Sequence, residues 1–444
     1  LLTRIVAAAA LAAAAAVLVL PTASAQRPKT WNTSLVGHLN PGGGFTGDVW
    51  VHGGTAYLGA WGLGRRCPTH GVRAIDATNP ARPRIVSRFA RFPGTTSEDV
   101  WVGAVSTPSF SGDLAAVGIQ RCTAPSRRFG GLALFDVTRP ARPRLLARLA
   151  THSHTRGVHE LSVVQRADGR VLAFVSVPHS LQATERRKGD VRVVDVSNPR
   201  RPREVADWDV RRDAPATVRR RLTQRGHSEL LAHSVAPYDS GRKAFVSHWD
   251  AGTVLLGLDD PARPRYLGRT AFPPRAFGNA HSGAFNEAAP NVFVQNDEVG
   301  DFYHSGIEGA WGFQRIWDVS DPAHPVALGR VATASSVPAR DGRIRHDGFY
   351  SVHNNVFVGD VEIVSWYSDG VRIVDLSDPR RPRPVGHFVP PPARDPQRFW
   401  VAPNGNHRFP LVWGVAVSGG LVYASDVNSG LWIFRSNALA GTAG

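Results

Sequence analysis

The sequence predicts an all-β fold, a seven-bladed β-propeller closed by an N-terminal strand that completes the last blade. Three observations support this prediction. A strand–turn–strand phrase recurs six times along the chain. Its copies are spaced by about 60 residues, which suits propeller blades better than a thin solenoid. The C-terminal segment contains only three strand patterns, and one strand pattern near the N-terminus has no partner of its own.

The repeated phrase is clearest as VRIVDLSDPRRPRPVGHFV, from Val371 to Val389. An apolar, β-branched run that ends in an acid and a turn cluster predicts a buried strand. The acid can accept a hydrogen bond from the backbone amide two residues later, and the first proline of Pro-x-x-Pro then ends strand pairing. The equivalent acids are Asp76, Asp136, Asp195, Asp318 and Asp375, whereas Gly257 takes this place in blade four.

The blades follow from the repeat in chain order. The predicted ranges are approximately 47–90, 98–150, 159–210, 233–272, 281–333, 353–389 and 413–435, the last completed by residues 31–40. The segment Ser34–His38 resembles Pro384–His387, the last strand of blade six, which favours a fourth strand for blade seven over a floppy leader. Because this pairing removes an open sheet edge, residues 26–436 are predicted to form one domain, followed by a tail at 437–444.

Residues 1–25 are predicted to be a secretory signal peptide. Arg4 precedes an apolar run from Ile5 to Leu20, and Ala23-Ser24-Ala25 supplies an A-x-A cleavage site. The apolar run is short for a membrane span, and an uncleaved anchor is the alternative. The mature chain is therefore expected to be secreted or associated with the cell envelope, to have no transmembrane helix after cleavage, and to be a monomer.

The chain has two cysteines, Cys67 and Cys122. Each follows the second strand of its own blade, in the loop before the third strand. Equivalent loops of adjacent blades lie side by side, and an exported protein meets an oxidising compartment. We therefore predict a disulfide between Cys67 and Cys122 that links blades one and two.

The net charge of +16 comes almost entirely from arginine, because lysine occurs only at positions 29, 188 and 243. Many arginines lie in the repeat turns, and others crowd an insertion from Arg211 to Arg225. This charge would attract an anionic cell-envelope polymer or another surface protein, although it could equally be a solvated surface of an arginine-biased sequence. Nucleic acid is not expected, since the chain carries an export signal and no known basic–aromatic module.

The first strand of each blade lines the central channel of a propeller, and aligning these strands produces two columns of residues. The first column is Gly47, Glu98, His159, His233, His281, His353 and Trp413. The second column is Asp48, Asp99, Glu160, Ser234, Ser282, Asn354 and Gly414. Four consecutive blades thus place a histidine at one level of the channel.

The four histidines, His159, His233, His281 and His353, could hold a divalent transition metal, with Glu98 or Glu160 completing or orienting the set. The alternative is a wet, polar channel in which these groups bind water or neighbouring backbone. A shift of one residue would turn a side chain to the other face of its strand. His346 and Asp347 are therefore a second choice for blade six, and His227 and His304 are further loop candidates.

Other site signals are weak. The chain has no Gly-x-Ser-x-Gly nucleophile elbow and no zinc-binding His-Glu-x-x-His helix. The run Asn296-Asp297-Glu298, with Asp301, lacks the spacing of an EF-hand, so an ordinary acidic loop is expected there.

The phrases VRIVDLSDPRRP, VRVVDVSNPRRP and IWDVSDPAHP, together with GVAVSGGLVYASDVNSGLWIF, resemble the LVIVD repeat. The resemblance covers nearly the whole mature chain. The resemblance implies a β-propeller fold. It also implies export, because the family consists of exported or surface proteins of bacteria and archaea. It implies little about activity, because the residues shared with the family are structural.

Two functions of different class follow. The first is a secreted or cell-surface binding and scaffold module whose ligand contacts the loop-rich face. The second is a metal-dependent enzyme, such as an oxidoreductase, that uses the four channel histidines. Metal content would discriminate between them.

Overall fold

The fold is taken from a computed structural model that describes residues 27–440, except 65–66, 68–69, 179–187, 225–229, 272–278, 300–310, 340, 399 and 403. The predicted signal peptide, His227 and His304 lie outside the described residues. No helix in the described part of the chain is both long and apolar enough to cross a membrane.

Seven antiparallel sheets of at least four strands each confirm the predicted all-β propeller. The chain first forms β1 (Lys29–Trp31) and β2 (Thr33–Leu39). Blade one consists of β3 (Thr46–His52), β4 (Thr55–Ala60), β5 (Val72–Asp76) and β6 (Arg84–Phe89). Blade two consists of β7 (Thr95–Thr96), β8 (Val100–Thr107), β9 (Phe110–Arg121), β10 (Gly131–Asp136) and β11 (Arg144–Ala150).

Blades three to five each have four strands. Blade three consists of β12 (Leu161–Gln165), β13 (Val171–Ser176), β14 (Val191–Asp195) and β15 (Arg203–Trp208). Blade four consists of β16 (Ser234–Tyr238), β17 (Lys243–Ser247), β18 (Thr253–Gly257) and β19 (Arg265–Arg269). Blade five consists of β20 (Ala280–Phe285), β21 (Val292–Glu298), β22 (Gly312–Asp318) and β23 (Val326–Val331).

The last two blades flank a small separate hairpin. Blade six consists of β24 (Asn355–Val358), β25 (Val361–Trp366), β26 (Gly370–Asp375) and β27 (Arg383–Val389). The hairpin pairs β28 (Ala393–Arg394) with β29 (Arg408–Phe409). Blade seven contains β30 (Val412–Ser418), β31 (Leu421–Asp426) and β32 (Gly430–Ser436).

Helices are few in the described chain. The arginine-rich insertion after blade three forms α1 (Val210–Asp213) and α2 (Ala216–Gln224). Asp209 caps α1 by accepting a hydrogen bond from the backbone amide of Arg211. Residues 437–439, expected to be tail, form a short 3₁₀ helix whose Leu439 packs into the core between blades six and seven.

The turn chemistry of the repeat is as predicted. In blade six, the backbone amide of Ser377 donates to Asp375 Oδ1 at 2.9 Å, two residues from the acid. The same Asx hydrogen bond forms at Asp76, Asp136, Asp195 and Asp318. In three blades the second carboxylate oxygen pairs with an arginine eight residues later, as Arg383 does with Asp375 at 2.5 Å.

The rigid turn of one blade docks on the outer strand of the preceding blade. Ser87 Oγ of blade one donates to the carbonyl oxygen of Pro140 in blade two at 2.6 Å. In blade four, Gly268 lies so close to the carbonyl of Pro322 in blade five that a Cβ would overlap it. The first proline of the repeat therefore ends a strand and also contacts the neighbouring blade.

The two ends of the described chain meet in the ring. Strand β2 pairs antiparallel with β32, from Thr33 opposite Ser436 to Leu39 opposite Leu431. Val36 and Leu39 of β2 join an apolar cluster shared by blades seven and one. The ring is thus a closed circuit of packed blades in which β2 is the outermost strand of blade seven.

The preceding strand, β1, belongs to a different blade. It pairs with β27, which makes blade six a five-stranded sheet. Asn32, with φ of 53°, redirects the chain between β1 and β2. The predicted single strand at 31–40 is therefore divided, since Trp31 lies in blade six and Thr33 begins the blade-seven strand.

The predicted disulfide is confirmed. Cys67 and Cys122 are bonded, with their Cα atoms 5.5 Å apart. The bond connects the β4–β5 loop of blade one to the β9–β10 loop of blade two, 55 residues apart in sequence.

Candidate functional site

The four aligned histidines converge in the central channel. The ring centroids of His159 and His233 are 4.3 Å apart, those of His233 and His281 are 3.9 Å apart, and those of His281 and His353 are 4.3 Å apart. All four residues are buried, at no more than 9% exposure. The structure thus places these sequence-predicted residues side by side across four neighbouring blades.

Backbone hydrogen bonds fix the level of this column. The backbone amides of His159, His233 and His353 donate to the carbonyl oxygens of Ser176, Ser247 and Ser365, which lie at or next to the ends of the second strands. Serine hydroxyls then connect neighbouring blades: Ser234 Oγ donates to the carbonyl of His281 at 2.7 Å, and Ser282 Oγ donates to the carbonyl of His353 at 2.5 Å. The backbones of His281 and His353 are therefore each held by a residue of the preceding blade as well as by their own blade.

Carboxyl groups surround the imidazoles. His159 Nδ1 lies 2.8 Å from Glu98 Oε2, although the pair does not have hydrogen-bond geometry. His233 Nδ1 lies 3.6 Å from Glu160 Oε1, and His281 Nε2 lies 3.5 Å from Glu298 Oε2. The predicted Glu98 and Glu160 are thus at the cluster, and Glu298 joins them.

Glu298 corrects a sequence-based expectation. Asn296, Asp297 and Glu298 are the last residues of β21, so the expected acidic loop is wrong. Asp297 pairs with Arg315 at 2.6 Å, which leaves Glu298 to reach the channel and accept a hydrogen bond from the Tyr367 hydroxyl. Aligning the ends of the second strands would have found Glu298. Asn296 of blade five corresponds to Ser365 of blade six, so Glu298, two residues later, corresponds to Tyr367.

Aromatic side chains enclose one side of the histidine column. The Trp413 ring lies 4.4 Å from His353, the Tyr367 ring 5.2 Å from His353, and the Trp249 ring 5.5 Å from His233. Trp413 Nε1 also donates to Glu98 Oε1 at 3.0 Å. These rings exclude water on this side and so strengthen electrostatic interactions within the cluster.

On the other side the channel opens into a cavity of about 170 Å³. Its walls include the second sequence-predicted column, namely Asp48, Asp99, Glu160, Ser234, Ser282 and Asn354. Asn354 Nδ2 donates to Asp48 Oδ1 at 3.1 Å, and the backbone amide of Leu161 donates to Asp99 Oδ2 at 2.7 Å. The mouth of the channel is therefore lined by acids.

Burial dominates the protonation of these groups. It lowers the pKa values of His233 and His281 well below the ordinary value and that of His353 to about 3. These three histidines are thus neutral at pH 7, each with a lone pair for a ligand. Burial and neighbouring carboxylates raise the pKa of Asp99 to about 7 and that of Glu160 well above its usual range.

His353 differs from the other three histidines. Its Nδ1 lies 2.7 Å from the carbonyl oxygen of Trp413, which fixes the ring. The groups of described residues whose ligand atoms converge closely involve His159, His233 and His281, but not His353. The alternative residue for blade six, His346, lies in a loop with its ring 6.4 Å from that of Trp311.

The face onto which the acidic mouth opens also carries the turns between the third and fourth strands of the blades. Five of these turns expose arginines, which are Arg82, Arg84, Arg139, Arg142, Arg144, Arg200, Arg201, Arg203, Arg263, Arg265, Arg380, Arg381 and Arg383. Within the described chain, Arg82, Arg142 and Arg381 form no ion pair with a carboxylate. A basic outer ring, here named the turn face, thus surrounds the acidic mouth.

Comparison with known proteins agrees with the fold. Of the solved structures, 910 chains are similar to this one, so the fold is widespread and does not specify an activity. One is the crystal structure of Chaetomium thermophilum Raptor, with a TM-score of 0.56, 12% identity, and coverage of 92% of this chain but 30% of that one. The chain therefore spans less than a third of Raptor, and the likeness shows the fold alone.

Sequence comparison points to the repeat. No curated protein sequence matches the chain. The family model of the LVIVD repeat matches residues 187–210 and 315–333, which contain the third and fourth strands of blades three and five. The chain is thus a β-propeller that carries the LVIVD repeat.

Proposed function

We propose that the protein is an exported binding module whose turn face contacts an anionic polymer of the cell envelope. The observation that carries this proposal is the clustering of exposed arginines in five turns on one face. The repeat acids at these turns are engaged by backbone amides, and three of them pair with one arginine each. Most of the turn arginines are therefore available to an anionic partner.

Export is the second part of the proposal. The N-terminal leader with its A-x-A site supports it, and so does the Cys67–Cys122 disulfide, since such bonds persist in oxidising compartments. A closed ring of blades suits a scaffold, because its long turns project from a rigid body.

Two matched triple variants test the proposal. The first replaces Arg82, Arg142 and Arg381 of the turn face by Gln. The control replaces Arg219, Arg220 and Arg221 of α2, which lies in a connection on the opposite face, so both variants lose the same charge. Binding to long-chain polyphosphate is measured by titration at several salt concentrations.

We expect the turn-face variant to bind polyphosphate at least about tenfold more weakly, since each basic side chain near an anionic surface contributes about 1 kcal/mol. The α2 control should stay close to wild type, and salt should weaken binding of all three proteins. Equal losses in both variants would mean non-specific attraction to net charge. No loss in either variant would refute the turn face as the binding surface.

A metal-dependent enzyme is the second candidate, and it is favoured by the convergence of imidazoles beside carboxylates in the channel. A metal there could polarise a substrate or activate water. The first requirement of this candidate is a bound metal ion, which the polymer-binding module does not need.

A further inference from the structure

The strongest convergence of ligand atoms in the described chain lies around His233. One ligand atom from each of His159, Glu160 and His233 falls within 4.8 Å of the others, and the same is true of His233, His281 and Glu298. His233 belongs to both groups. An ion beside its ring could therefore take ligands from blades three, four and five.

Several atoms of this cluster are buried without a hydrogen-bond partner in the described chain. They are Glu98 Oε2, Glu160 Oε1 and the Nδ1 atoms of His159, His233 and His281. Buried polar groups are almost always paired, because an unpaired one loses its hydration without compensation. Four of these atoms face each other, His159 Nδ1 with Glu98 Oε2 at 2.8 Å and His233 Nδ1 with Glu160 Oε1 at 3.6 Å, but without hydrogen-bond geometry. A cation bound among them would satisfy lone pairs that these contacts leave unused.

The chemistry of the orphaned groups indicates a cation. Carboxylates and neutral imidazoles all offer lone pairs, and the cluster has two glutamates and three histidines. An anion would meet only repulsion from Glu160 and Glu298. Imidazole nitrogens with carboxylate oxygens are a ligand set of zinc, copper, nickel, iron and manganese rather than of calcium.

The spacing also suits an ion. His159 Nε2 and His233 Nε2 form a hydrogen bond at 2.7 Å, which a bound ion would replace. Two nitrogens on one tetrahedral zinc, each at about 2.0–2.1 Å, would be about 3.3 Å apart, so the two rings need to separate by only about half an ångström. Glu98 beside His159 Nδ1 then acts as the carboxylate that orients a metal-bound imidazole.

The cluster also has a route by which an ion could enter and, on the opposite side, aromatic side chains that exclude water. The mouth of the channel leads to the histidines, and the carboxyl groups of Asp48, Asp99 and Glu160 line the approach and offer oxygen atoms to an entering cation. Trp249, Tyr367 and Trp413 close the opposite side of the column. An ion would thus pass from an acidic opening to a site with little competing water.

We propose that the channel binds one divalent transition-metal ion through His159, His233 and His281, with a carboxylate of Glu160 or Glu298 as a further ligand. This site goes beyond the polymer-binding function and is independent of the turn face. His353, fixed by the Trp413 carbonyl, supports the ring of His281 and is not one of the ligands.

The proposal is tested on the full mature chain, stripped with chelator and titrated with Zn²⁺ alone and with Co²⁺ alone. We expect one equivalent of metal per chain by elemental analysis after removal of excess ion. Zn²⁺ should also raise the unfolding temperature, because an ion that binds the folded state stabilises it. The visible spectrum of Co²⁺ should show the strong bands of a four- or five-coordinate site.

Variants identify the ligands. His233→Asn and His281→Asn should each weaken Zn²⁺ binding at least about a hundredfold, more than changes to residues that only orient a ligand. His248→Asn is the matched control, since His248 is fully buried in the same blade as His233 but packs against Trp208. It should bind Zn²⁺ as wild type does.

A measurement on the wild-type protein tests the proposal even if the variants fail to fold. Cu²⁺ bound in the channel should show hyperfine coupling to imidazole nitrogens by electron paramagnetic resonance. A stripped protein that takes up less than a tenth of an equivalent of any tested ion would overturn the proposal. Absence of nitrogen hyperfine coupling, or unchanged affinity in His233→Asn, would overturn it equally. Loss of polyphosphate binding leaves these readouts unaffected, so failures of the two proposals are distinguishable.

Discussion

Glu362 is a carboxyl group that the fold isolates from solvent between blades five and six. Its Oε1 accepts hydrogen bonds from Gln314 at 2.6 Å and from Asn355 at 2.5 Å, and the side chain is fully buried. Both partners are neutral amides, and no described residue pairs with its Oε2. Burial therefore raises the pKa of Glu362 to about 7.

This raised pKa predicts a pH-dependent stability. The folded state keeps a proton that the unfolded chain releases near pH 4.5, so Glu362 lowers stability progressively as the pH rises from about 4.5 to about 7. Glu362→Gln, which keeps the shape and one acceptor, should match wild type near about pH 5 and exceed it by up to about 3 kcal/mol near about pH 9. Chemical denaturation at both pH values measures this difference. An equal gain at both would contradict the protonation argument.

Local chemistry explains which residues could be predicted. The Asx hydrogen bond at Asp375 involves an amide two residues away, so the sequence contains all of its determinants. The histidine column was predictable because first strands start in register within the repeat. Trp249 and Glu298 were missed, since they lie at or just beyond the ends of second strands, which the alignment did not compare.

At the level of elements, neighbouring blades meet where the turn of one blade packs on the outer strand of the preceding blade. Gly37 of β2 lies against the carbonyl oxygen of Pro80 in blade one, and a Cβ at Gly37 would overlap that oxygen. The contact repeats the one between Gly268 and Pro322 in blades four and five. Glycine therefore permits the same close contact between neighbouring blades at the ring closure and within the ring.

Gly37→Ala should separate blade seven from blade one and destabilise the fold by about 1–3 kcal/mol, as overpacking does. Gly268→Ala should cause a loss of similar size. Gly257→Ala is the control, because its Cβ would meet chiefly the movable Leu267 side chain at 3.3 Å. Thermal and chemical unfolding measure the three variants. A Gly37→Ala protein as stable as the Gly257→Ala control would argue against this contact.

The Cys67–Cys122 disulfide also connects neighbouring blades, namely blades one and two. In the chain-entropy estimate, closing a loop of 55 residues stabilises the fold by about 4 kcal/mol. The double variant Cys67→Ser, Cys122→Ser should lose stability of this order, and reduced wild type should lose the same amount. Denaturation with and without reductant measures both. A double variant that still responds to reductant would show that the effect is not due to this bond.

At the scale of the whole molecule, the acidic mouth of the channel and the arginine-bearing turns lie on one face. The acidic mouth lies on the axis, and the arginine-bearing turns lie around it. A polymer bound to the outer ring and a cation bound in the channel would therefore meet different parts of the same face. Removal of metal should leave polyphosphate binding unchanged, and turn-face variants should keep their Zn²⁺ affinity.

The seven-bladed ring could be predicted from the sequence, but the strand pairings and contacts that connect its blades could be predicted only in part. Periodicity revealed seven blades because each copy of the repeat carries its own strands and turn. The pairing of β1 with β27 had no signal, since three exposed residues have no distinctive pattern. Which face carries the acids likewise depends on strand direction in space, and the sequence pattern does not contain it.

Strands β1 and β2 pair with strands about 360 and about 400 residues further along the chain, at the outer edges of blades six and seven. During synthesis both strands are therefore made long before their partners. Neither can take its native place until those partners exist. The intervening blades can stack as they form, but the circle stays open, so the nascent chain must shield two unpaired strands until blades six and seven have been made.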